Sequence, residues 1–250
     1  MRVSVAVAFA LAVGAAALSA ARTGADSPEA GGYRHVSRFG HSVQGRGLRV
    51  ARVGYADSPV KVLVVGLIHG DEPSGRAIAR RLHDQRAPDG VALYLLDALN
   101  PDGLARRTRQ NARGVDLNRN FGWRWRRQGT PGSTYYSGPR PFSEPESRAA
   151  KRLIGRVRPD ITVWYHEHLC AVDKSKGASL RIVRRYAHLV GLPARRIRGL
   201  HGIATGWQNR RFGNSNAFVV ELCGGRLSAK AVRAHAGAII RIAKLPATRR

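Results

Sequence analysis

Acidic residues are scarce in this 250-residue chain: 16 Asp and Glu stand against 43 Lys and Arg, giving a formal net charge of +27 at pH 7. Such a chain associates with anionic surfaces at low salt, although charge informs association rather than fold. The basic residues are scattered, as in Arg80-Arg81, Arg106-Arg107, Arg184-Arg185 and Arg195-Arg196. No aromatic residues interleave with them as a stacking platform for nucleic-acid strands, so specific nucleic-acid binding is set aside. Cysteine is almost missing, with only Cys170 and Cys223. Four cysteines in paired spacing would have signalled a structural zinc site. Two allow either one disulfide in an oxidising compartment or a pair of buried free thiols. There is no internal repeat, no linker, and no apolar run beyond the N-terminus long enough to span a bilayer.

The N-terminus does carry an apolar run. Arg2 precedes an Ala-rich stretch over 5–18, and Ser19-Ala20-Ala21 offers small residues for cleavage. Residues 1–21 therefore read as a secretory signal peptide, with an uncleaved anchor as the alternative. Residues 22–33 are polar and Gly-rich and read as a disordered leader. Residues 34–250 are expected to form one domain, large enough for a substantial core. For an exported chain, the polyanions met first are cell-wall polymers.

Everything else is arranged around residues 62–75, Val-Leu-Val-Val-Gly-Leu-Ile-His-Gly-Asp-Glu-Pro-Ser-Gly. A β-branched apolar run predicts a strand over 61–68, and a helix is expected over 76–85. Between them stand His69 and Glu72. A buried strand that stops before a helix leaves its last side chains at the carboxyl edge of a sheet, where open α/β folds bind ligands. An imidazole and a carboxylate there can take two corners of a zinc site.

The period-2 pattern over 48–53 predicts edge strands leading into that central strand. A second apolar strand is expected over 91–98, closed by a turn at Asn100-Pro101-Asp102-Gly103. The next forty residues read as loop. Ser143 is expected to cap a helix that runs to 157, with Glu144 and Glu146 complementing its dipole. A strand over 161–165 ends at His166, a helix follows over 179–189, and a strand over 217–220 ends at Glu221. A helix over 228–243 closes the chain. Alternating strands and helices predict an α/β single domain: a mixed, mostly parallel β-sheet flanked by helices on both faces. Three strands thus finish at residues of catalytic type: His69 with Glu72, His166, and Glu221.

These residues resemble the zinc carboxypeptidase superfamily, the M14 metallopeptidases. His69-x-x-Glu72 looks like the family's first two zinc ligands. Asn100-Pro101-Asp102-Gly103, the block from Arg109 to Phe121, Tyr136-Ser137-Gly138-Pro139 and residues 141–146 look like its sequence motifs. The resemblance implies one Zn2+ per chain, held by His69, Glu72 and His166, with His168 close enough to compete for the third place. It implies Glu221 as the general base for zinc-activated water and Arg109 as the polariser of the scissile carbonyl. Asn118 and Arg119 would bind the substrate's terminal carboxylate. No Tyr occurs over 202–216, where digestive-type members carry one on a mobile loop. In this and in its length the chain looks more like the compact bacterial murein peptide amidases, and Asp173 lies at a similar distance after His166.

The resemblance therefore implies a metallocarboxypeptidase or amidase; the N-terminal segment makes it a secreted one, and a monomer is expected. It would cleave a peptide bond, or a γ-D-glutamyl-diaminopimelate bond, next to a free carboxylate. The rival readings are a zinc-dependent deacylase of small N-acyl amino acids and a non-catalytic cell-wall-binding module. Trp123, Trp125, Tyr135 and Tyr136 either line the pocket mouth or pack within the loop.

Overall fold

The computed structural model describes Met1 and residues 33–245. The expected signal peptide and leader lie outside the described residues, apart from Met1 and Tyr33. The first half of the chain runs β1 (Arg34–His41), β2 (Gly47–Val53), β3 (Val60–Val65), α1 (Gly75–His83), β4 (Val91–Leu96) and α2 (Pro101–Arg106). Then follow α3 (Pro145–Val157), β5 (Ile161–Glu167), β6 (Ala171–Asp173) and α4 (Leu180–Val190). The chain ends through β7 (Ala194–Arg195), α5 (Ala204–Arg211), β8 (Asn216–Leu222) and α6 (Ala229–Ala243).

The strands form one mixed sheet in the order β1-β2-β4-β3-β5-β8-β6-β7. Its centre, β4-β3-β5-β8, is parallel throughout. The β1–β2 hairpin joins β4 antiparallel at one side, and β6 joins β8 antiparallel at the other. Alternate side chains of the central strands enter two cores. Val62, Val64, Val163, Tyr165, Phe218 and Val220 face α1, α4 and α6. Leu63, Val65, Trp164 and Val219 face α3 and α5. Burial on both faces explains why these strands read as unbroken apolar runs. Cutting one such side chain to Ala typically costs about 2–5 kcal/mol.

Local chemistry differs from expectation in three places. Asn100 to Gly103 is not a free turn but the start of α2, with Gly103 N donating to Asn100 Oδ1 at 2.9 Å. Helix α3 is capped at Glu144 rather than Ser143. Glu144 and Glu146 are buried instead of solvated near the helix end. Burial obliges them to find donors, and Asn111 Nδ2 supplies both, at 2.9 and 3.1 Å. They pin the long loop over 107–141 to α3. Helix α5 was not expected at all.

Candidate metal centre

Three adjacent parallel strands, β3, β5 and β8, end at the same sheet edge. His69 and Glu72 sit in the turn after β3, His166 near the end of β5, and Glu221 on β8 as the register partner of His166. Two glycines keep that turn tight. A Cβ on Gly70 would collide with the backbone of Gly103, and one on Gly75 with Tyr165.

The three side chains meet. His69 Nδ1 lies 2.9 Å from Glu72 Oε1 and 3.1 Å from His166 Nδ1, and His166 Nδ1 lies 2.9 Å from Glu72 Oε2. All three residues are buried. Burial opposes charge on each of them, but in Glu72 the two imidazoles prevail and hold the carboxyl far below the usual range. For His69, Asp116 and Glu72 outweigh burial and raise the imidazole. For His166 burial wins and lowers it. Such a set is poised for a cation between its members.

The set fits zinc on its own chemistry. Two imidazole nitrogens and one carboxylate are a common zinc donor set with a position left open. Tetrahedral donors about 2.1 Å from a zinc lie roughly 3.4 Å apart, close to the separations seen. Both Nδ1 atoms turn inward, and His69 is fixed from behind by Asp116, whose Oδ1 is 3.0 Å from Nε2. Such outer partners orient metal-binding histidines. His168, the competitor for the third place, is exposed outside the set with a positive φ of 142°.

Asp116 is the residue the sequence reading missed. It opens the 3-10 turn Leu117–Arg119 by accepting from Asn118 N at 2.8 Å. One tight turn therefore aims Asp116 at His69 and sets Asn118 and Arg119 into the pocket. Asn118 Nδ2 lies 3.3 Å from His166 Nε2, and Asn118 Oδ1 accepts from Ala204 N at 3.0 Å, which ties the turn to α5. Arg109 Nη1 donates to Glu72 Oε1 at 2.9 Å and Nε donates to Asp116 Oδ2 at 3.1 Å. The two carboxylates overcome burial and hold Arg109 charged.

These groups line one pocket of about 240 Å³, joined by Tyr135, Asp173 and the apolar Leu169, Ile197, Leu200 and Ile203. Arg119 is buried, and the Tyr135 ring covers its guanidinium at 5.0 Å. Of the four loop aromatics named from sequence, Tyr135 reaches the pocket. Trp123 packs on Gly206, and Trp125 Nε1 donates to Ser137 O at 3.2 Å. Glu221 lines the same pocket, and burial together with Glu72 raises its carboxyl to about 7. Cys170 and Cys223 are bonded, with Cα atoms 4.4 Å apart, joining the segment after β5 to the end of β8.

A buried His-Glu-His set at the carboxyl edge of a parallel sheet, beside a carboxylate and a buried arginine, defines a metal-dependent hydrolase site. The family model described as zinc carboxypeptidase matches residues 31–168, and the chain belongs to this family of zinc-dependent metallopeptidases, with a site that fits one zinc per chain. Glu221 lies beyond the matched residues, so its place rests on the strand register. Murein peptide amidase A of Escherichia coli (strain K12) is 31% identical over a matched stretch of 155 residues, with 54% of this chain and 62% of that protein covered. Carboxypeptidase B of Astacus astacus is 29% identical over 162 residues, 53% of each chain. The chain thus spans less than two thirds of the length of either relative. Among solved structures, the murein-tripeptide amidase MpaA from Escherichia coli O157 superposes with a TM-score of 0.66 at 23% identity, covering 86% of this chain and 93% of that one. The carboxypeptidase A from Helicoverpa armigera gives 0.70 at 20% identity, covering 84% and 67%. These likenesses establish the zinc carboxypeptidase-like fold.

Proposed function

We propose that this protein is a secreted zinc metallocarboxypeptidase or amidase that hydrolyses an amide bond next to a free carboxylate. The observation that carries the reading is a single pocket holding the metal donors, Glu221 and the buried Arg119 together. Zinc, when bound, supplies Lewis acidity towards the scissile carbonyl and towards water. Glu221 takes the water's proton and passes it to the leaving amine, a task suited to a carboxyl raised towards neutrality. Arg119 grips the terminal carboxylate through its planar fork, with Asn118 beside it. Arg109 turns from Glu72 to the developing oxyanion.

Within that class we favour a γ-D-glutamyl-diaminopimelate bond. Asp173 shares the pocket with Arg119, and its oxygens accept from Ile197 N at 2.8 Å and Ser175 Oγ at 2.6 Å. Apart from the metal donors and Glu221, Arg119 and Asp173 offer one partner for a carboxylate and one for an ammonium, which suits a leaving amino acid that bears a second amine as well as its carboxylate. The relatives named for murein peptides support the same choice. Export to the cell wall, where a strongly basic chain would meet anionic polymers, fits this substrate, and the protein would act as a monomer.

The test combines metal content with hydrolysis of two substrates, a murein tripeptide and an ordinary peptide with a free C-terminus, in wild type and Glu221→Gln. Near one zinc per chain and cleavage by wild type alone is the expected result, with the murein tripeptide preferred. A zinc-loaded wild type that cuts neither substrate refutes the reading.

A further inference from the structure

The reaction pocket is not the largest concavity. A groove of about 910 Å³ runs beside it, between α1 and the start of α6. Glu167 belongs to both walls, so the two spaces adjoin. Glu167 is held in place as Ser74 N donates to its Oε1 at 2.6 Å. From Asp71, next to Glu72, the groove extends along the length of α1 to Arg81. It therefore leaves the metal centre on the side of Glu72 and Glu167, whereas Arg119 and Tyr135 line the reaction pocket and not the groove.

Arginine dominates its lining, with Arg76, Arg80, Arg81, Arg226 and Arg233 against Asp71 and Glu167. Asp97 accepts from Arg76 at 2.8 Å and Arg80 at 3.0 Å. Arg81, Arg226 and Arg233 are exposed and form no ion pair among the described residues. Neither α1 nor α6 has an acid in its first turn to offset them. Between the guanidinium groups the wall is apolar, at Pro73, Ala77, Leu227 and Val232. Guanidinium groups on an apolar floor suit extended chains that carry carboxylates, because Arg binds them through two donors at once.

We infer that this groove receives the acyl-side extension of the substrate and selects for acidic residues there. The inference rests on the proposed reaction, since it is the carboxylate at Arg119 that directs the other end of the substrate past Glu167. The stretch of α1 that lines the groove, Arg76 to Arg81, spans about 9 Å at 1.5 Å per residue. An extended chain rising roughly 3.3 Å per residue places about three residues along that length. The selective positions are thus the roughly three residues upstream of those at the scissile bond, reached by substrates that extend beyond the single upstream residue of a murein tripeptide. Arg81, Arg226 and Arg233 are the specificity-determining groups.

The experiment uses the full chain loaded with zinc and peptides with one cleavable C-terminal pair, extended upstream by three glutamates or three glutamines. In wild type, kcat/KM for the glutamate peptide is expected to exceed that for the glutamine peptide at least tenfold, through KM. The triple variant Arg81→Ser, Arg226→Ser, Arg233→Ser should level the two while leaving the unextended substrate unchanged. A control triple on α4, Arg181→Ser, Arg184→Ser, Arg185→Ser, removes the same charge and should keep the preference. Equal rates for the two peptides in wild type, or a control that loses as much as the groove variant, overturns the inference. Fluorescence anisotropy of the same labelled peptides on Glu221→Gln protein reads the groove without turnover. Tenfold tighter binding of the glutamate peptide, lost in the groove triple, upholds the groove even if no bond is cut and the reaction assignment fails. Cleavage without any acidic preference upholds the reaction and removes the groove.

Discussion

Asp116 stands behind His69: its Oδ1 lies 3.0 Å from Nε2, on the ring edge opposite the Nδ1 that faces Glu72. A carboxylate in this place fixes the tautomer and the ring plane before any cation arrives. Asp116→Asn should weaken zinc binding by about 10–100-fold, the usual cost of losing such a partner. Competition against a chelator measures it. A variant that keeps wild-type affinity would show that Asp116 serves only the loop.

Arg119 is buried beneath Tyr135 with Asn118 beside it. Arg119→Lys keeps the charge but gives up the two-point grip. For a substrate with a free C-terminal carboxylate, kcat/KM should fall about tenfold or more, equivalent to about 1.4 kcal/mol. A C-terminally amidated substrate should be slow with wild type and no slower with the variant. Equal losses on both substrates would place Arg119 outside carboxylate recognition.

The bridge between Cys170 and Cys223 closes a segment of sequence separation 53. By the loop-entropy argument this stabilises the fold by up to about 4 kcal/mol. Reduction should lower the denaturation midpoint accordingly, and peptide mapping of protein purified without reductant should show the two segments linked. Two free thiols in protein purified without reductant would contradict the structure.

A polar chain crosses the core beneath the sheet. The Tyr165 hydroxyl lies 2.7 Å from that of Tyr186, which lies 2.8 Å from His235 Nδ1. Burial lowers His235 from 6.5 to about 4. Between those values the unfolded chain takes up a proton that the fold refuses. Stability is therefore complete above about pH 6.5 and falls as pH drops towards 4, by roughly 3 kcal/mol. Urea titrations of chelated wild type and His235→Gln should diverge over that interval, the variant showing the shallower dependence. Parallel curves would mean that His235 is not the group responsible.

The centre of the fold was legible because its cause is local. Strands buried on both faces need unbroken Val, Leu and Ile, and a strand that ends at His or Glu announces itself. His69, Glu72, His166 and Glu221 all came from that pattern. Asp116 could not be found the same way, since its meaning depends on a loop returning to a residue 47 positions away. Glu144 and Glu146 looked like helix-end acids because nothing in their spacing reveals that Asn111 will be brought against them. Helix α5 was hidden for another reason. Its buried residues include Gly206, Gln208 and Asn209; Gln208 Nε2 donates to Thr162 Oγ1 and Asn209 Nδ2 to Ala217 O, so contacts to neighbouring strands take the place of an apolar stripe. The disulfide was one of two open choices until the strand ends were placed in space.

The pairing of β5 with β8 sets His166 opposite Glu221, while the metal donors come from the turn after β3 and from β5 alone. Side chains alternate along a strand, so a slip of β8 by a single residue would turn Glu221 to the other face of the sheet. The donor set would survive that error untouched. Under the proposed mechanism, misregistered molecules would carry a full complement of zinc and yet lack the general base, so the ratio of turnover to bound metal would gauge how faithfully the last strand has been laid down.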